Sequence, residues 1–285
     1  MSNEYAKRHE KSSRFASFCT AVIVISFVIG LLLAFLVHPA GMILIIFGGL
    51  IGGIGLAFAS GEQKKNSQAF KEEFLIPRMQ MYFSDFEYKN DMGLQRSTIS
   101  DLGLFYTGDT IYTNDLIQGK YRGCSFRMGN VKCSETHTDM DGDRHTRVVF
   151  QGRVIIVGLS VLDSGQVTIK PKSFYVPTLF KKGQILEYDH PICDNFEIRS
   201  YEPVELPRYF LDYVNNMAHM FNKYKFYYKI VHDRIYIAID NISPLYTIYN
   251  YKKTTPTDLD DIIRKDSMFF TNLISLIVDA SKMEK

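Results

Sequence analysis

The chain has 285 residues, 46% of them apolar, no tryptophan, and a formal net charge of +2. Beyond residue 14 it carries 29 basic and 29 acidic side chains, a balance that argues against nucleic-acid binding, where phosphate neutralisation supplies most of the affinity. No Lys, Arg, Asp or Glu occurs between Arg14 and Glu62, and an apolar run of that length excludes a wholly water-facing protein.

The run divides into two spans. Residues 15–37 (FASFCTAVIVISFVIGLLLAFLV) are long enough to cross a hydrocarbon core, which needs about 20 helical residues. His38-Pro39-Ala40-Gly41 supplies the break, because Pro39 disfavours helix at the residue before it. Residues 41–60 (GMILIIFGGLIGGIGLAFAS) form the second span. A cleaved signal peptide fits less well, since its apolar region is shorter and is not followed at once by another span. Lys7, Arg8, Lys11 and Arg14 precede the hairpin, Lys64, Lys65 and Lys71 follow it, and the connecting turn has no Lys or Arg. The positive-inside rule then places both ends in the cytoplasm. Cys124, Cys133 and Cys193, scattered without a C-x-x-C pair, read as free thiols of a reducing compartment.

This gives a basic cytoplasmic N-terminus over 1–14, a transmembrane helical hairpin over 15–60, a stalk helix and linker over 61–98, and a cytoplasmic domain over 99–285. In the stalk, Phe70, Phe74, Leu75, Met79 and Tyr82 recur at near-helical spacing, and Pro77 should kink the helix or end its first part. From Ile99 to about Ser200 the pattern turns to short β-rich segments: ISDLGLFY, TIYTNDLIQGKYRGCSFRM, NVKCSETHT, HTRVVFQGRVIIVGLS, GQVTIKPKSFYV and CDNFEIRSY. Val154 to Val157 are apolar on both faces, as in a covered central strand. Residues 207–221 (PRYFLDYVNNMAHMF) predict a helix, and FYYKIVHDRIYIAID predicts a hairpin turning near His232-Asp233. Thr255-Pro256-Thr257-Asp258 starts a C-terminal helix whose stripe includes Ile263, Phe270, Leu273 and Ile277, with a break expected near Asp266. The fold class expected is α+β, a mostly antiparallel β domain with C-terminal helices behind a membrane hairpin.

In order along the chain, FKEEFLIP after two spans, GLF, Tyr112-Thr-Asn-Asp115-Leu-Ile-Gln-Gly119, Val149-Phe150-Gln-Gly152 and RIYIAID resemble the bacterial proteins grouped as domain of unknown function family 3137. The resemblance covers roughly residues 62 to 280. It implies a membrane anchor with a cytoplasmic β-rich domain, hence the inner (plasma) membrane of a bacterium, and brings no activity, cofactor or catalytic residue with it. Asp115, Gly119, Phe150 and Gly152 match recurrent family positions.

The candidate chemistry sits in HTDMDGDRH, where His137, Asp139, Asp141, Asp143 and His145 alternate. On one strand face that spacing would gather metal ligands. Against this, Asp141-Gly142 is a preferred type I′ turn pair between strand-like flanks, which makes the stretch a hairpin tip. An EF-hand fails on the positions of Gly and Glu, and a zinc site from His137 and His145 would need further ligands. A metal-dependent hydrolase using His137, Asp139, Asp143 and His145 is the enzyme alternative. No G-x-S-x-G, H-E-x-x-H or Walker pattern is present, and no G-x-G-x-x-G follows a strand.

No cofactor is expected. The Tyr/Lys-rich stretch from Lys223 to Lys253 has the composition of an anionic lipid contact. Gly48, Gly49, Gly52, Gly53 and Gly55 form overlapping G-x-x-x-G spacings, which predict close helix packing, within the hairpin or between copies in a homo-oligomer. A transport pathway is not expected, because neither span carries an ionisable residue other than peripheral His38. The expectation is a membrane-anchored cytoplasmic binding or scaffold domain that acts on a protein partner or the lipid surface, with a self-associating membrane scaffold as a third class.

Overall fold

The computed structural model describes residues 2–36, 40–158, 166–172, 183–242 and 256–282. The break at His38-Pro39, the YTIYNYKK stretch, the Thr255 cap and the ends of two strand candidates (159–160 and 173–176) lie outside the described residues. The chain forms two compact units, residues 1–78 with 248–264 and residues 79–247 with 265–285.

In the first unit, α1 (Ser2–Leu36) and α2 (Ala40–Phe70) pair antiparallel. Ser12 Oγ donates to the Ala59 carbonyl at 3.1 Å. Further along, Gly55 lies against Cys19, Gly52 against Ile23, and Gly48 against Ser26. Small residues on both helices let the backbones approach closely, the packing that lipid-facing helices use where water supplies no drive. The large side chains point the other way: Phe18, Val24, Ile25, Phe47, Ile51 and Phe58 are exposed. After α2 comes a π-helical turn, Lys71–Leu75, and then α3, Ile76–Met79. Pro77 has no N–H and crowds the carbonyl four residues back, and the wider turn just before it takes up the change of register. Pro77 therefore sits just after a π turn, in the short α3 that ends at Met79.

Among the described residues the second unit is built on one nine-stranded sheet: β1 Ser84–Lys89, β2 Thr110–Tyr121, β3 Cys124–Thr138, β4 Arg144–Gly158, β5 Val167–Pro171, β6 Gln184–Leu186, β7 Phe196–Ser200, β8 Lys225–Val231 and β9 Arg234–Asp240. The order is β1-β2-β3-β4-β9-β8-β5-β7-β6, and every neighbouring pair is antiparallel. Helices α4 (Arg96–Leu102), α5 (Ile192–Asn195), α6 (Arg208–Met220) and the part of α7 (Pro256–Lys282) from Lys265 onward complete it.

The sheet buries both faces of its centre. On one face Leu94, Ile99, Leu102, Leu104 and Phe105 pack on Val131, Cys133, Phe150, Val154, Tyr227 and Ala238. Phe105 stacks on Phe150 with ring centroids 3.8 Å apart; burying one such side chain stabilises by roughly 1.5–3 kcal/mol. The opposite face carries Met128, Ile155, Ile237, Phe226 and Ile169, all buried. Helix α6 brings Phe210, Val214 and Met217 there, and α7 brings Phe270, Leu273 and Ile277. Arg153 projects into this second core with only 2% of its surface exposed, its guanidinium 4.6 Å from the centroid of the Phe270 ring. Val154–Val157 therefore lie in a covered central strand, as their composition implies.

Three segments differ from their sequence pattern. The sheet starts before residue 99, with β1 inside the stretch read as linker. Ile99–Leu102, read as strand, is the last turn of α4: Ile99 and Leu102 share a buried helical face, and Gly103 closes the helix in the left-handed region at φ +58°. Helix α7 also runs unbroken through Asp266.

Candidate interaction site

Three places gather the residues with chemical potential: the helix pair, the tip of the β3–β4 hairpin, and the β2 bulge.

In the helix pair the glycines separate by face. A Cβ built on Gly48 or Gly52 would lie 2.2 Å from Ser26 Cβ or Ile23 Cγ1, whereas Gly49 and Gly53 have nothing within 4 Å. Successive residues sit 100° apart around a helix, so adjacent glycines cannot serve the same contact. Gly48 and Gly52 hold the hairpin together, joined by Gly55 and Ala59; Gly49 and Gly53 look outward. Both helices are long and apolar enough to cross a membrane, over Lys11–Leu31 and Ile45–Glu62.

At the hairpin tip, β3 and β4 continue past their neighbours. Pairing with β2 stops at Ser134 and pairing with β9 stops at Gly152, so residues 135–138 and 144–147 form a two-stranded ribbon. The turn is not type I′, because only Gly142, at φ +87°, is left-handed while Asp141 is not. Instead the Gly142 N–H donates to the Asp139 carbonyl and the Asp139 N–H to the Asp143 carbonyl, a three-residue loop with glycine at its left-handed position.

His137 and His145 face each other across this ribbon but bind different carboxylates. His145 Nε2 meets Asp139 Oδ2 at 3.2 Å, while Asp139 Oδ1 accepts the N–H groups of Asp141 and Asp143 at 3.1 and 2.9 Å. His137 Nε2 meets Glu135 Oε1 at 3.0 Å, and Arg147 reaches the same oxygen at 3.1 Å. His137 holds the Glu135 carboxyl below its ordinary range, helped by the Tyr106 hydroxyl. Asp143 enters the loop through its backbone. Among the described residues no group of three or more His, Cys, Asp or Glu is placed to hold a metal ion.

The bulge centres on Asp115, buried and left-handed at φ +55°, where the β2–β3 register shifts between Asn114 and Ile117. Tyr88 donates its hydroxyl to Oδ1, and the side chains of Asn114 and Asn130 donate to Oδ2 at 2.6 and 2.9 Å. The Asp115 N–H donates to the Asn90 carbonyl. This network ties β1, β2 and β3 together, a positioning role. Gly119 and Gly152 serve close strand approach: a Cβ at Gly152 would stand 1.9 Å from the Ile239 carbonyl oxygen.

Sequence reasoning missed two arrangements. His190, nearly buried, accepts the Ile192 N–H at Nδ1 (3.1 Å), so Nε2 carries the proton and donates to Asp212 at 2.9 Å. With Nδ1 so occupied, this imidazole is not a free base for nearby Cys193; it locks the turn before α5 to α6, beside a cavity of about 430 Å³ that includes Tyr188, Glu205 and Arg208. Lys170 and Lys229 donate to the carbonyls of Gly103 and Leu102 at 2.8 and 2.7 Å, capping α4 at its negative end. Burial, with Lys229 nearby, lowers the Lys170 amine to about 8. Burial also pushes the Cys133 thiol up to about 12, the condition of an inert core cysteine.

No family model matches the sequence, and no curated protein matches it. Among solved structures, that of the mycobacterial trehalose monomycolate transport factor A, TtfA, is similar over 72% of this chain and 96% of its own, at 12% identity and a TM-score of 0.29. A likeness at that score carries no argument about function.

Proposed function

We propose that this protein is anchored in a bacterial inner membrane by the α1–α2 hairpin and holds its β-rich unit in the cytoplasm as a binding or scaffold domain that performs no reaction of its own. One observation supports the anchor above all: the helix pair turns its small residues inward and its Phe, Ile and Val side chains outward, which is stable only where the outside is hydrocarbon. The Lys and Arg residues on both flanks support cytoplasmic ends. The test is alkaline carbonate extraction of membranes followed by protease protection in spheroplasts. Full-length protein retained in the pellet, with residues 62–285 protected until the cells are opened, is the expected result. Release by carbonate, or cleavage of that region from outside, would overturn it.

A second role, self-association, is favoured by a specific feature. Gly49, Gly53, Ala57 and Gly61 lie four residues apart on the exposed side of α2, the spacing that lets a further helix approach. Under that role Gly53→Ile changes oligomer size in the membrane. Zinc retained stoichiometrically by the full-length protein, and lost together with function in Asp139→Ala with His145→Ala, would instead favour a metal-dependent hydrolase.

A further inference from the structure

Strand register draws cations into a line on the face of the sheet that carries α4. Following partners from β3 across to β6, Arg127, Tyr236, Lys229, Arg199 and Ile185 fall in one row, with Ile156 and Thr168 between them. At about 4.8 Å per strand the row is roughly 29 Å long. Arg234, two residues before Tyr236 on β9, adds a cation on the same face.

The row lies at the C-terminal end of α4, where Lys229 also bonds the Leu102 carbonyl. Arg127 and Ile185 are exposed and the other members are half-buried. Acids on this side are engaged: Glu87, which ends the row beyond Gln118, pairs with Lys89 at 2.8 Å, Glu197 pairs with Arg199 at 2.6 Å, Asp233 approaches Arg234 at 3.7 Å, and Asp240 accepts the Gln151 and Asn241 N–H groups. Basic and acidic residues are equal in number beyond residue 14, whereas the row between Arg127 and Ile185 holds three cations and no acid. Acids collect elsewhere, as at the exposed ribbon tip with Asp139, Asp141 and Asp143.

We propose that this row docks the β unit onto anionic phospholipid headgroups of the bilayer that holds the hairpin. It rests on the membrane-anchor reading above. Each basic side chain near an anionic surface strengthens association about fivefold, and the attraction acts within a Debye length of about 8 Å at physiological salt. Ile185, exposed at the sheet edge, supplies the apolar contact that headgroup regions accept. Nucleic-acid phosphates share the anionic chemistry, but the anchor keeps lipid at high local concentration.

The chain has no native tryptophan, so Ile185→Trp, at an exposed edge position, reports from the row alone. Full-length Ile185→Trp is reconstituted in nanodiscs of brominated phosphatidylcholine, with or without one-third phosphatidylglycerol. Stronger quenching in the anionic discs is expected, reversed at about 0.5 M salt, where the Debye length shrinks to about 4 Å. Adding Arg127→Gln and Arg234→Gln weakens docking about thirtyfold, with an unchanged circular dichroism spectrum.

Equal quenching in both disc types, or no effect of the two substitutions, would overturn the proposal. So would a response to added oligonucleotide exceeding that to lipid, which would give the face to nucleic acid. Failure of the protein to enter either disc would refute the anchor itself, a result distinct from insertion without docking.

Discussion

Replacing Gly55 by cysteine tests the helix pair directly. A Cβ at Gly55 lies 3.5 Å from Cys19 Cβ, within the roughly 3.5–4.5 Å that a disulfide requires. It also lies 2.4 Å from Cys19 Sγ, so that sulfur must rotate, as it does on forming the bond. In a Cys193→Ser background, membranes carrying full-length Gly55→Cys should cross-link within one chain on treatment with diamide. On non-reducing gels the product keeps monomer size and shifts mobility on reduction. Adding Gly52→Leu should suppress it. Even the first added carbon meets Ile23 Cγ1 at 2.2 Å, against about 3.5–4.0 Å for normal carbon contact, so the helices must part by more than 1 Å. Overpacking of this kind costs about 1–3 kcal/mol, a loss of roughly 5- to 150-fold in the paired state. Gly53→Leu, one residue on, meets open space and should leave the cross-link unchanged. Dimer-sized product from Gly55→Cys, or equal effects of the two leucines, would refute the facing assigned to these glycines.

Other consequences concern the β unit. Gly152→Ala drives a methyl group into the Ile239 carbonyl, and because both partners are backbone the cost should reach about 3 kcal/mol, a fall of roughly 6–12 °C in the melting midpoint by circular dichroism. Asp115→Ala strips the acceptor from Tyr88, Asn114 and Asn130 and should cost about 2–4 kcal/mol in denaturant unfolding. Asp115→Asn should cost about 1 kcal/mol or less, since Asn tolerates φ +55° and the Tyr88 hydroxyl can turn to accept. Lys170 titrates near 8 in the folded protein against 10.5 ordinarily, so between those values the unfolded chain binds more protons and stability rises with pH. The melting midpoint of the native protein relative to Lys170→Met should therefore climb from pH 8 to about 10.5 and stay level below pH 7.

Local pattern determined much of this protein. The two spans, α6, the start of α7 and the β8–β9 hairpin each declare themselves within one continuous stretch of chain, through apolar length or period, proline at a first turn, or a polar turn between apolar strands. Where one local signal had two physical readings, neighbours chose. Ile99 and Leu102 suit a strand or a helical turn, and the choice went to helix because Gly103 could close it and the face of β3, β4 and β8 needed covering. At HTDMDGDRH the alternation was legible, but the partners were not. Glu135 and the Asp139 loop claim the two histidines, and Tyr106 in turn bonds Glu135, through contacts that depend on hairpin register and on a loop brought alongside. The glycine spacing announced close packing, while which glycines pack depended on the rotation of α2 against α1. The cation row is the furthest from the sequence. Its members lie on separate strands, from Arg127 to Arg234, and only hydrogen-bonded register lines them up on one face, because a shift of one residue in any strand would turn its cation to the other side.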